Sequence, residues 1–318
     1  MPRERLVLVR NILWTGDAPW FDQIEVLPMD YRQAETAYES GDLDMTRIAV
    51  GAIPLIRDAQ NPNTTLVVRP ALSYTWFGMN LQHPKLADPR IRRAIQQAIN
   101  VPEALEAAFG DAVPSALGLI PPPLLGSRTR TLYHYDPGRS RQLLAEAGAH
   151  DLSFRLDFAQ DTDRMTIAQV IQAQLRAVGI ALHLHPMDEA SFAAEGQESE
   201  GEGWRDLQLS IETFTASPDP SFIPAWFTCR QVGIWNTERF CDPAFDRLAD
   251  QAVIEEDSQR RGTMYVKLQD MLEESGAFLC LYHGLNAWVC RSSIRGAWSP
   301  DGLWPFLRDI KGAPAAVL

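Results

Sequence analysis

The sequence predicts an α/β protein of about two domains, and three observations carry that expectation. Its 318 residues suffice for about two domains at roughly 150 residues each. Strand-like and helix-like stretches alternate along the chain, with no internal repeat and no long low-complexity tract. Residues 152–185 read as strand, helix and strand in immediate succession, the pattern of a parallel crossover.

Residues 23–28 alternate like a half-buried strand, and residues 31–40 read as a short helix through Ala34, Ala37 and Tyr38, stopped by Gly41. Residues 65–68 and 74–78 read as strands. Residues 88–109 form a helical region: Pro89 suits a first turn, and Ile91, Ala94, Ile95, Ala98 and Ile99 share one face. Residues 121–123 are three prolines, a stiff connector. A helix over 138–147 ends at Gly148, a natural left-handed cap. Residues 152–158 alternate as a strand. Ile167, Ile171, Leu175 and Val178 then mark a helix closed by Gly179, and residues 180–185 alternate again. Residues 188–206 hold seven acids against one base, Arg205, with three glycines. They read as a solvated loop, because the carboxylates lack the fixed spacing of a calcium loop. Helices over about 243–256 and 258–275 lead through Gly276 into a strand over 277–283.

Composition narrows the function. Hydrophobic residues at 46% and charged residues at 22% are ordinary for a globular chain and exclude a disordered or collagen-like one. Lys and Arg number 29 against 41 Asp and Glu, a net charge of −12, which argues against nucleic acid as a partner. No apolar run approaches the roughly 20 residues of a membrane helix. The run of residues 6–9, closed by Arg10, is also too short for the apolar region of a secretory signal.

No phosphate-cradling loop, dinucleotide-binding fingerprint, HExxH or nucleophile elbow is present, so no catalytic residue and no metal ligand set is assigned. His183 and His185 would share one strand face, a spacing that a metal can use and that a solvated strand shows equally. His283 ends a strand and is a candidate for a pocket. Cys229, Cys241, Cys280 and Cys290 all lie in the last third and contain no CxxC. Their even count allows two disulfides in an oxidising compartment, and buried free thiols in a reducing one fit as well. Phe214, Phe222, Trp226, Phe227 and Trp235 cluster in a stretch stiffened by Pro218, Pro220 and Pro224, while Trp76 and Phe77 follow a strand. Core packing accounts for any single aromatic; together they also suit the wall of a largely apolar cleft.

Four stretches resemble one family. Ala37-Tyr38-Glu39-Ser40-Gly41-Asp42-Leu43-Asp44 is the first. Gly78-Met79-Asn80 through Pro84, with Asp88-Pro89-Arg90-Ile91-Arg92-Arg93-Ala94-Ile95 and Ala98, is the most specific. Tyr135-Asp136-Pro137 with Leu143-Leu144-Ala145-Glu146-Ala147-Gly148 is the third, and Asp219-Pro220-Ser221 through Phe240-Cys241-Asp242-Pro243-Ala244-Phe245-Asp246 the fourth. In this order they resemble the C-terminal part of an ABC-transporter extracellular solute-binding protein of the peptide/nickel class, solute-binding family 5.

The resemblance implies a bilobal, type II periplasmic-binding-protein-like α/β fold lacking the N-terminal part of its first lobe. Residues 1–75 plus 284–318 would be the remnant of lobe I, residues 76–283 lobe II, and the loop-like segments 74–80 and 283–288 the hinge. It implies a periplasmic monomer that is no enzyme and needs no cofactor. It would capture a small solute, most often an oligopeptide, and deliver it to the membrane subunits of an ABC permease. Trp76, Asn80, Phe214, Asp219, Trp226 and Trp235 are the expected ligand contacts. Dipeptide-binding relatives place an aspartate for the ligand's amino group near the position of Ala216, between Thr215 and Ser217, which leaves Glu212 or Asp219 as a substitute. The resemblance also pairs Cys229 with Cys241. Cys280 and Cys290 would face each other across a hairpin near Leu285, or remain free. The rival readings are a truncated, non-functional fragment, a cytosolic solute-sensing module, and a hydrolase with an unmarked carboxylate pair.

Overall fold

Carboxylates and amides at the helix starts do much of the local punctuation. The side chains of Asp30, Asp88, Asn100, Asp136, Asp161, Asp242 and Asp257 each accept a backbone N–H at the N-terminus of a helix. The computed structural model describes residues 5–313, with the side chain of Tyr31 excepted.

In chain order, β1 (Leu6–Val9) pairs antiparallel with β2 (Gln23–Val26). Helix α1 (Tyr31–Ser40) stops at Gly41, whose φ of 94° is left-handed. Then come β3 (Met45–Arg47), α2 (Ile53–Ala59) and β4 (Thr64–Met79). β4 is one strand where the pattern suggests two: Arg69-Pro70 interrupts the apolar run without ending the strand. Conversely, the region 88–109 is two helices, α3 (Pro89–Ala98) and α4 (Val101–Phe109), because Asn100 leaves the helical conformation and caps Glu103.

Helix α5 (Pro137–Glu146), β5 (Ser153–Ala159), α6 (Thr162–Ala177) and β6 (Ala181–Met187) follow. β5 and β6 pair in parallel from Ser153↔Ala181 to Ala159↔Met187, the expected crossover. The acidic stretch read as a loop contains a helix, α7 (Glu189–Glu195), which Asp188 caps through the Ser191 N–H. The chain continues through β7 (Leu209–Thr215), α8 (Phe222–Ala225), α9 (Pro243–Ile254) and α10 (Ser258–Glu274). It finishes with β8 (Phe278–Arg291), β9 (Ile294–Arg295) and β10 (Lys311–Gly312). Among the described residues no helix is long and apolar enough to cross a membrane.

The chain divides into two units, one formed by residues up to Ala71 and from Leu285 onward, the other by Leu72–Gly284. β4 and β8 contribute residues to both; segments 74–79 and 283–288 are therefore strand rather than loop. In the first unit β3 pairs antiparallel with the end of β8, and Tyr38, Ile48, Ile53, Val289 and Ile310 are buried. All four residues of β1 are exposed, and a cavity of about 230 Å³ is lined by Leu8, Trp14, Phe21, Ile24 and Leu307 among others.

In the second unit the strand order is β8-β4-β7-β5-β6, with β4–β7 antiparallel and β7–β5 and β5–β6 parallel. The period of two sorts residues by face. Tyr74, Trp76 and Gly78 lie opposite Phe214, Glu212 and Ser210, while Thr75, Phe77 and Met79 lie opposite Thr213, Ile211 and Leu209. From the first set, Tyr74 and Trp76 join a buried cluster with Phe227, Phe240, Phe245, Tyr265, Leu268 and Phe278, and the partly buried Phe214 packs against it. Every fully buried side chain of this size contributes about 1.5–3 kcal/mol of burial.

Candidate ligand site: an aromatic wall backed by buried carboxyl groups

Three aromatics in the second unit meet edge to face. Phe214 comes from β7, Trp226 follows α8, and Trp235 lies in the loop between the bridged Cys229 and Cys241. Ring centroids are 6.0 Å apart for Phe214–Trp226, 6.2 Å for Phe214–Trp235 and 5.7 Å for Trp226–Trp235, all T-shaped. Phe214 and Trp226 are half-buried and Trp235 is 42% exposed, so the trio presents apolar edges to solvent. Two side chains, Asp246 and Asn236, hold the loop in shape. Cys229 N–H donates to Asp246 on α9, and the buried Asn236 donates to Thr228 O and Phe240 O while accepting from Phe240 N–H.

Trp76 stands behind this wall, not in its surface. It is fully buried, packs against Phe214 at 5.1 Å, and donates its indole N–H to Glu238 Oε1 at 2.6 Å. Glu212, opposite Trp76 in the β-ladder, is also buried and accepts from the Thr237 hydroxyl. Burial pushes the Glu212 carboxyl up to about 7. Burial pushes Glu238 up to about 8, and the neighbouring Glu212 charge acts in the same direction. Burial, with Glu238 nearby, also raises the Tyr74 phenol. Tyr74 Oη and Glu238 Oε2 are buried and find no hydrogen-bond partner among the described residues.

The remaining expected contacts have other partners. Asn80 is buried and donates to the Trp204 and Leu207 carbonyls while accepting from Gln82 N–H, which makes it a turn clamp. Both carboxylate oxygens of Asp219 accept from the one Arg261 Nη2 at 3.0 Å, and Oδ1 also accepts from Ser221 N–H. Partial burial opposes its ionisation, but those hydrogen bonds hold its carboxyl below the usual range. Ala216 is buried, with its N–H on Leu72 O, and supplies no charge. Of the two substitutes for a counter-charge, only Asp219 reaches solvent, and Arg261 already neutralises it.

Cys280 and Cys290 are free, the second of the two alternatives left open for them, and they do not face each other across a hairpin. β8 runs unbroken from Phe278 to Arg291, so no hairpin turns at Leu285 and nine residues of extended chain separate the two thiols. Burial pushes the Cys280 thiol up to about 12. His283 lies within β8 and donates to Gly118 O. His183 and His185 do not act together. His183 bonds Ser153 Oγ, whereas His185 bonds Asp157 at 2.6 Å. Asp157, His185 and Glu195 bring potential ligand atoms within 4.8 Å of one another. Arg155 already bridges the two carboxylates, so a guanidinium meets the charge that a metal ion would.

The model of the bacterial extracellular solute-binding proteins, family 5 (middle), matches residues 1–233. The chain belongs to this family. It is 29% identical over 244 residues to the di/tripeptide-binding protein 2 of Pseudomonas aeruginosa, a match covering 74% of this chain and 45% of that one. The chain spans about half the length of the curated relatives it matches. Its fold is that of the ABC-transporter substrate-binding protein CtaP of Listeria monocytogenes, with a TM-score of 0.86 at 16% identity over 97% of this chain and 64% of that one. The periplasmic binding protein DppA of Helicobacter pylori, solved with the peptide STSA, matches at a TM-score of 0.80 and 19% identity over 97% of this chain and 60% of that one. In this family-5 chain, Glu238 and Asn236 are the site residues that sequence reasoning missed. Neither sits in a periodic segment, so no pattern in the sequence marks them.

Proposed function

We propose that this chain is the solute-capturing component of an ABC import system, acting outside the cytoplasmic membrane and handing its solute to the permease subunits. The observation that supports this reading most directly is the trio of Phe214, Trp226 and Trp235, the first two half-buried and the third exposed, on a family-5 fold. Edge-to-face aromatics with few rotatable bonds suit the apolar parts of a short peptide, and they contribute contact area at small entropic cost. An oligopeptide is the preferred solute, since related proteins are named for di- and tripeptides and for glutathione. With Ala216 uncharged and Asp219 tied to Arg261, the peptide's amino end would have to compete with the Arg261 guanidinium for Asp219. This predicts modest affinity for short peptides and a gain when Arg261 is replaced by Gln.

The test is tryptophan fluorescence and thermal shift of the purified chain with di- to pentapeptides. A rise in melting point with one peptide class, and a loss of affinity of about tenfold or more in Trp226→Ala and Trp235→Ala, are the expected results. Unchanged affinity in both variants would sink the aromatic wall. A second reading, a fragment that binds only with a further polypeptide, is favoured by the exposed apolar β1–β2 hairpin. Silence of the wild-type chain toward every peptide would support it.

A further inference from the structure

The back of the wall contains an arrangement that peptide capture does not call for. Two glutamates from different segments, Glu212 on β7 and Glu238 in the loop before α9, are buried on the same side of the sheet as Trp76. Space is reserved for one of them. A Cβ on Gly78 would stand 2.4 Å from Glu238 Oε1 and 2.8 Å from Ser210 Oγ, so only glycine admits the carboxyl there. Its other oxygen and the Tyr74 hydroxyl are buried without partners among the described residues.

The surrounding groups give little cationic compensation. β4 offers the Trp76 N–H and the Tyr74 phenol; β7 offers Glu212 itself and Ser210. The loop offers Thr237, while Arg239, the residue after Glu238, turns away to Glu198 and Gln82. Arg164 of α6 acts favourably on Glu212, and Asp157 of β5 opposes it. Two buried carboxylates near each other, with no cation among the described residues paired to either, cannot both stay ionised at moderate cost.

We propose that Glu212 and Glu238 form a proton-binding site behind the aromatic wall, which holds a carboxylic acid in the folded chain at neutral pH. Losing that proton places uncompensated charge beside Trp76. Loop 229–241 and the Trp235 it carries then loosen, so the wall is firm in mild acid and slack in alkali. The linkage follows from the raised pKa of both groups: stability is fully present below the ordinary carboxylate range and is lost as pH rises through the raised values.

Infrared difference spectroscopy of the full chain at pH 6.5 is the test, together with denaturant unfolding at pH 5 and pH 8.5. A protonated carboxyl band is expected in the wild type, absent or reduced in Glu238→Gln. Glu212→Gln serves if the first variant does not fold. The wild-type unfolding constant should rise by about tenfold or more across that pH range, and clearly less in the variant. A wild type without the band, or a band and a pH slope that persist unchanged in the variant, overturns the proposal.

Discussion

At the scale of single residues, Gly78 and Asn236 illustrate what holds the site. Placing a methyl group on Gly78 pushes against Glu238 and Ser210, so Gly78→Ala should cost about 1–3 kcal/mol and blue- or red-shift the buried Trp76, read by urea unfolding and fluorescence. Asn236→Ala removes three hydrogen bonds from a buried position and leaves Thr228 O, Phe240 O and Phe240 N–H to find others; about 2–4 kcal/mol is the expected loss. Asp219 has the opposite pH sign to Glu238. Against the burial that opposes its ionisation, hydrogen bonds from Ser221 and then the Arg261 pair lower its carboxyl, so that contribution is present above the ordinary carboxylate range and lost as pH falls. Because the Asp219 side chain is nearly half exposed, Arg261→Gln should change stability by no more than about 1 kcal/mol. Trp226 and Trp235 were legible as aromatics among prolines. Glu238 was not, since one acid among 41 acquires meaning only when the fold buries it beside Glu212.

At the scale of elements, the helices and the β5–α6–β6 crossover were readable because apolar spacing and capping residues agree locally. The failures have local causes too. Gly284 and Asn286 flank Leu285 like turn residues, yet β8 passes straight through. Asn286 is used there as a cross-link, accepting from Arg47 and donating to Asp301 O. Seven acids made residues 188–206 look like a loop, while Asp188 was starting α7. The loop that carries Trp235 depends on its covalent tie. Closing 12 residues of sequence separation contributes about 3 kcal/mol in the chain-entropy account. Reduction with dithiothreitol should therefore lower the melting point and weaken the near-ultraviolet circular dichroism of the tryptophans; full retention of both would show the loop to be self-supporting.

At the scale of the whole molecule, the two units are unequally provided with core. The second contains the large aromatic cluster and most of the fully buried side chains. The first leaves Leu6, Val9, Ile12, Leu13 and Trp20 exposed on or beside a two-stranded hairpin, an arrangement that is marginal in water by itself. The chain should bind the dye ANS in its native state, and Val9→Lys with Leu13→Lys should reduce that signal by more than half without altering the melt of the second unit. The family resemblance was legible because its motifs fall in helix starts and turns. The pairing of residues 6–9 with 23–26 into a hairpin was not, since apolar alternation reads the same whichever strand it meets. The Cys229–Cys241 ring carries one more implication, about the life history of the molecule. Matured among oxidants, the chain receives the clamp and a firm aromatic wall; synthesised and kept among reductants, the identical sequence keeps two thiols and a slack wall. Two preparations with the same mass to within a pair of hydrogens would then differ in what they can hold.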